Sequence, residues 1–307
     1  MEKQEEKGTK KEVKVMEKYI RFDWAMKRML RDKANFDVLE GLMTVLLEEP
    51  VKIINLLESE GNQESEDDKY NRVDIKAENS KGEIIIVEIQ LRREYNFLQR
   101  ILYGVSKTIT EHMLVGNNYS NVKKVYSINI IYFNFGEGED YLYHGDTKFI
   151  GAFKHDTLQI QERDGNAIKL IAPEKILPEY YIIRVNQFNQ LAKTPIEEWI
   201  DYLKDGNIKD DTTVPGLQAA RQKLQYIMMS KEERIAYEKH MDRLLSLDNM
   251  VETAKFDGRM EGKIEGIIEG KKEEKREMAR KMINDGLDIN FVKKYTGLTD
   301  EELNSLL

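Results

Sequence analysis

Apolar residues recur along this chain with two periods, and the change from one to the other organises it. Over 36–49, FDVLEGLMTVLLEE, the positions Val38, Leu39, Leu42, Met43 and Leu46 follow the 3.6-residue period of a helix, which Pro50 stops. A short strand is predicted over 52–57, followed by a loop containing the acidic stretch GNQESEDD. Two β-branched runs come next, NRVDIKAE and EIIIVEIQ, separated by Asn79-Ser80-Lys81-Gly82. Turn residues between such runs predict a hairpin.

From Glu94 to Val115 the residues Leu98, Ile101, Leu102, Val105, Ile109 and Met113 form the stripe of a long amphipathic helix. Leu98, Ile101, Leu102 and Val105 are expected to face the core. The run KVYSINIIYF (124–133) is continuous, aromatic and β-branched, which suits a strand buried on both faces. Short β-like runs with turn signals, Asp164-Gly165 among them, fill 138–171, and a last strand is predicted over 180–185.

Beyond about Lys193 the period is helical throughout. Thr194-Pro195-Ile196-Glu197-Glu198 reads as a helix start, with Thr as cap, Pro in the first turn and acids at the positive end of the dipole. Ser230 with Glu233 repeats the capping arrangement. Glycines recur every fourth residue at 258, 262, 266 and 270. Each costs about 1 kcal/mol against Ala inside a helix. The stripe reads either as a surface for close approach of a second helix or as an exposed, charge-laced helix of low stability. The closing INFVKKYTGLTDEEL predicts two short helices around Thr296-Gly297-Leu298-Thr299, the second capped by Thr299. The segments are then a charged tail (1–14), an α/β core (15–190), a helical extension (191–257), and the glycine helix with a small helical unit (258–307).

Composition narrows the chemistry. The 307 residues are 40% hydrophobic and 34% charged, with no Cys, so disulfides, Cys–zinc sites, iron–sulfur clusters and thiol nucleophiles are excluded together. No apolar run reaches the roughly 18–20 residues that span a bilayer, and the charged start lacks the apolar centre of a signal peptide. A cytoplasmic protein without membrane partners is expected. The net charge of −8 argues against coating nucleic acid by bulk electrostatics and leaves only a local basic site. Gly136-x-Gly138 has no third glycine at dinucleotide spacing, there is no Walker lysine, no G-x-S-x-G and no H-E-x-x-H. The four histidines are scattered.

The hairpin is where chemistry concentrates. An antiparallel register through residues 79–82 pairs positions whose numbers sum to about 161–162, which sets Asp74 opposite Glu88. Alternation puts Gln90 on the face of Glu88. Ile84, Ile85, Ile86, Val87 and Ile89 surround Glu88 with apolar residues, so its charge is costly and a second carboxylate across the ladder adds repulsion. A divalent cation relieves both, and oxygen ligands favour Mg²⁺ or Mn²⁺, as metal-assisted phosphodiester hydrolysis requires. The alternative is that both acids lie at strand ends, paired with Lys76, Arg72 or Arg92.

Asp74, a short hairpin and Glu88-Ile89-Gln90 together resemble the D…(D/E)-x-K core of the PD-(D/E)XK nuclease superfamily. FDWAMKRML (22–30), ANFDVLEGL (34–42), RVDIKAEN (72–79), RILYGVSK (100–107), TPIEEWIDYLKDG (194–206), the Glu-Gly repeat and TGLTDEEL (296–303) extend the resemblance to the Rpn family, recombination-promoting nucleases and transposase-like proteins. It implies an α/β fold, a mixed sheet flanked by helices with an all-helical C-terminal extension. It also implies a Mg²⁺- or Mn²⁺-dependent DNA endonuclease linked to recombination or mobile elements. Asp74 and Glu88 correspond to metal ligands, and Glu40 to a further carboxylate on the first long helix. Gln90 stands where the consensus has Lys; it orients water but brings no charge. Gln99 and Tyr103 match a Q-x-x-x-Y motif and, with Arg100 and Lys107, form a polar stripe for the DNA backbone. Asp23 and Lys27, four apart, match the family's first motif and either pair or line the cleft. Two other functions compete: a nuclease fold that binds DNA without cutting, and an adaptor whose copies assemble through 258–283.

Overall fold

The computed structural model of the protein describes residues 19–30, 32–57, 74–113, 118–164 and 167–306. The charged start, the acidic stretch 61–68 and Gly165 of the last turn lie outside them.

Helices α1 (Phe22–Arg28) and α2 (Phe36–Leu47) precede strand β1 (Ile53–Leu56), and β2 (Ile75–Asn79) and β3 (Ile84–Gln90) form the predicted hairpin. Every matched pair between β2 and β3, from Ile75↔Val87 to Glu78↔Ile84, sums to 162. Turn chemistry sets this register: the Asn79 carboxamide oxygen accepts from the backbone N–H of Lys81 and of Glu83, both at 3.0 Å. Gly82 supplies the positive φ, +78°.

Helix α3 (Phe97–Glu111) then carries the chain to β4 (Val125–Ile131), parallel to β3. Parallel neighbours need such a crossover. Strands β5 (Leu142–Gly145), β6 (Ile160–Asp164), β7 (Ala167–Ile171) and β8 (Glu179–Arg184) follow. The main sheet runs β1-β2-β3-β4-β8-β5, with β3, β4 and β8 parallel and the outer pairings antiparallel, while β6 and β7 make a separate hairpin. All seven residues of β4 are buried, as its continuous apolar run predicts. The fold is α/β with a mixed six-stranded sheet, as the resemblance implied.

One expectation about α3 fails. Its buried residues are Phe97, Ile101, Gly104, Val105 and Thr108, while Leu98 and Leu102 are more than half exposed. Phe97 sits between Phe133 and Phe135, at centroid distances of 5.7 and 5.5 Å, and this aromatic anchor turns the helix. Leu98 and Leu102 each follow a buried residue by one position, about 100° further round, and so leave the core.

Helix α4 (Pro195–Asp205) begins with a complete capping box between Thr194 and Glu197 and ends at Gly206 in the left-handed region. Its Trp199 and Tyr202 meet Phe22 of α1 edge-to-face, and the Tyr202 hydroxyl donates to the Ile20 carbonyl at 2.7 Å. Helix α5 (Leu217–Lys223) follows Gly216, whose backbone touches Gly41 of α2: a Cβ on Gly41 would lie 2.2 Å from the Gly216 Cα. Helix α6 (Lys231–Asn284) starts at the predicted Ser230–Glu233 pair, each backbone N–H bonded to the other's side chain.

Contacts divide the chain into two compact units, through Arg234 and from Ile235. In the second, α6 passes to α7 (Ile289–Thr296) and α8 (Asp300–Asn304) around a core of Ala279, Val292, Leu298 and Leu303. Gly297 ends α7 at φ +68° and Thr299 caps α8 with Glu302, as predicted. A Cβ added at Gly258, Gly262, Gly266 or Gly270 would meet nothing within 4 Å. Among the described residues no helix is long and apolar enough to cross a membrane.

Candidate active site

Period-two alternation along β3 builds the site. Ile84 and Ile86 pack with Val105 of α3 and Val125 of β4. Glu88 and Gln90 continue that face. The strand therefore begins as core and ends as a carboxylate and a carboxamide under the N-terminal half of α3. The register of β2 and β3 extends to bring Asp74 beside Glu88, and the Asp74 Oδ2 accepts from the Ile89 N–H at 2.8 Å. That bond ties the acid of one strand to the backbone of the other.

Glu88 is buried, 5% exposed, and its Oε1 accepts no aligned hydrogen bond although the Arg100 guanidinium forms an ion pair with it. Burial pushes its carboxyl up to about 7; Arg100 opposes the rise, and the negative charges of Asp74 and Glu94 add to it. Arg100 is shared, since its Nη1 also meets Glu94 Oε2 at 2.8 Å. On the other side, Lys27 Nζ of α1 stands 3.8 Å from Asp74 Oδ1. Among the described residues, Arg100 of α3 thus faces Glu88 and Lys27 of α1 faces Asp74.

The remaining predicted residues divide. Glu40 is buried, but its Oε1 accepts from the Ile53 N–H and its Oε2 pairs with Lys52, both at 2.9 Å, so it secures the start of β1. Among the described residues no group of three His, Cys, Asp or Glu side chains converges to hold a metal ion. Asp23 is buried with its Oδ1 3.0 Å from Arg21 Nε. Gln99 and Tyr103 lie on the outer side of α3, and Lys107, half-buried, follows Arg100 by seven residues along the same flank. Lys76, a candidate partner for the acids, instead meets Glu111 at 2.8 Å. Arg72 lies outside the described residues, and Arg92 is exposed.

One partner escaped the sequence reading. Glu94 holds Arg100 from six residues upstream, and it leaves a local signal, opposite charges in the turn leading into α3. Lys27, expected either to pair with Asp23 or to line the cleft, stands beside Asp74, a partner set by where α1 packs.

The pair suits a hard cation: Glu88 presents a buried oxygen that Arg100 neutralises but no aligned donor satisfies, the register continues to Asp74 opposite it, and both side chains offer oxygen. A mixed sheet with two acids opposed on one hairpin is an arrangement that a metal-dependent nuclease domain could use. Residues 20–164 match the family described as PD-(D/E)XK nuclease family transposase, and residues 272–307 match the Rpn/YhgA-like nuclease family, C-terminal HTH domain. The chain carries a PD-(D/E)XK nuclease family transposase domain and an Rpn/YhgA-like nuclease C-terminal HTH domain. No curated protein and no solved structure gives a significant match.

Proposed function

We propose that the protein is a metal-dependent DNA endonuclease in which Asp74 and Glu88 hold a Mg²⁺ or Mn²⁺ ion. The observation that carries this reading is the placement of two carboxylates opposite each other, one of them buried with an oxygen that no aligned donor satisfies. A bound ion would supply a lowered water pKa and charge stabilisation at the scissile phosphate. Gln90, next on the face of Glu88, orients the attacking water through its carboxamide. Water adds across the P–O bond: its oxygen joins phosphorus, one proton ends on the departing sugar oxygen, and the other is lost to solvent. Arg100, released from Glu88 and still beside Glu94, turns to a phosphate oxygen, and Lys107, Gln99 and Tyr103 extend the grip along the backbone. The HTH domain supplies a second DNA contact, and the open glycine face of α6 a surface for another copy of the chain. A link to recombination or mobile elements rests on the family alone.

Supercoiled plasmid incubated with the protein and Mg²⁺ or Mn²⁺ tests the reading. Nicking that chelator stops, and that Asp74→Ala and Glu88→Ala abolish, is the expected result; no nicking by the wild type under either metal defeats it. The uncharged Gln90 favours a second reading, a nuclease-fold protein that binds DNA without cutting. Retarded mobility with intact DNA supports that one.

A further inference from the structure

The D…(D/E)-x-K arrangement needs a positive charge beside its acids, and Gln90 cannot provide it. Among the described residues, three cationic side chains on the elements around the pair can be compared. Arg100 pairs with Glu88 and Glu94, and once Glu88 releases it to the phosphate backbone Glu94 still meets part of its charge. Lys76 is buried and committed to Glu111 at 2.8 Å. Among the described residues, Lys27 makes one loose ion pair, 3.8 Å to Asp74 Oδ1, and its side chain is 51% exposed. Its helix is nonetheless fixed: Phe22, Ala25 and Met26 of α1 are essentially fully buried, and Phe22 is clamped by Trp199 and Tyr202. A rigid base with a flexible tip delivers an ammonium to one edge of the acid pair while leaving it free to change partner.

We propose that Lys27 supplies the charge the motif lacks at Gln90. This deepens the nuclease reading and rests on it. Once Asp74 is engaged by a cation, Lys27 loses its partner, and its ammonium turns to a non-bridging oxygen of the scissile phosphate. It stays protonated throughout and donates a hydrogen bond that strengthens as negative charge accumulates on that oxygen. The charge then comes from α1 in place of the second strand of the hairpin, and the cleft keeps it.

The full-length wild type, Lys27→Ala, Gln90→Lys and the double variant decide the matter. Three quantities are followed: cleavage rate in Mn²⁺, Mn²⁺ affinity by electron paramagnetic resonance, and affinity for uncut DNA in Ca²⁺. Lys27→Ala should cut about 100-fold more slowly, the usual scale for losing one charge-stabilising donor. Its Mn²⁺ affinity should hold or tighten, because a competitor for Asp74 is gone, and its melting temperature should match the wild type. Gln90→Lys added to Lys27→Ala should restore at least tenfold of the lost rate. Equal cutting by Lys27→Ala and wild type overturns the assignment while leaving the nuclease reading intact. So does a loss of rate that follows lost Mn²⁺ or DNA affinity, or that Gln90→Lys fails to rescue. A wild type that cuts nothing removes both.

Discussion

Replacing Glu88 with Gln should make the protein more stable above neutral pH and leave it unchanged in acid. In the folded chain burial pushes the Glu88 carboxyl from its ordinary 4.5 up to about 7. The unfolded chain therefore ionises this group first, and the native state is penalised for each increment of pH in which it does not. Below pH 4.5 both states hold the proton and the penalty is absent; it grows by about 1.4 kcal/mol per pH unit and levels off above pH 7. The full difference is about 3 kcal/mol. Gln keeps the shape and has no proton to lose, so Glu88→Gln should match the wild type near pH 4.5 and approach this advantage at pH 8. Urea denaturation in chelator at several pH values, with the slope m checked for constancy, reads it directly. A difference between variant and wild type that stays flat with pH would falsify the reasoning, because Glu88 would then ionise as a solvated carboxylate does. Asp74→Asn removes one of the charges that raise Glu88, so the penalty should still begin near pH 4.5 but level off at a lower pH and at a smaller value.

Stabilisation by Mn²⁺, read as a rise in melting temperature, should grow between pH 5 and pH 8 as Glu88 becomes available to the ion, and Asp74→Asn should lose it; an equal rise at both ends contradicts the pair as the ion's site. Gly41→Ala should cost at least about 2 kcal/mol, since its Cβ would enter the Gly216 backbone at 2.2 Å. Gly216, at φ +79°, cannot take the strain, so an unchanged denaturation midpoint would show that α2 and α5 are not in contact in solution. At Gly262 the same change meets open space and should raise helix stability locally by about 1 kcal/mol, seen as roughly fivefold slower amide exchange in its neighbours. Faster exchange there would mean that the glycine face is occupied and needs its bare backbone.

Much of the site was legible because its makers are local. The hairpin register follows from one turn, and Asn79 with Gly82 fixes it, so placing Asp74 opposite Glu88 needed no knowledge of the rest of the chain. The caps at Thr194, Ser230 and Thr299 were legible for the same reason, each being a contact over three residues. The orientation of α3 was not. A stripe of apolar residues two positions wide is compatible with several rotations, and the aromatic contacts of Phe97 with Phe133 and Phe135 chose the one that exposes Leu98 and Leu102. That same rotation turns Arg100 onto Glu88. Glu40 shows the converse. Its place on α2 suggested a third carboxylate, and its neighbours Lys52 and Ile53 draw it to the edge of the sheet.

By itself the order of residues determined the strands, the turn between β2 and β3, the helix ends and the meeting of two acids. These depend on backbone period and on side chains a few residues apart, where geometry leaves little choice. Tertiary structure alone decided which cations face those acids. Lys27 and Arg100 are 47 and 12 residues from their partners, Asp74 and Glu88. Contacts over that span follow from how whole helices settle on the sheet, a balance of burial and shape to which each residue adds a small share.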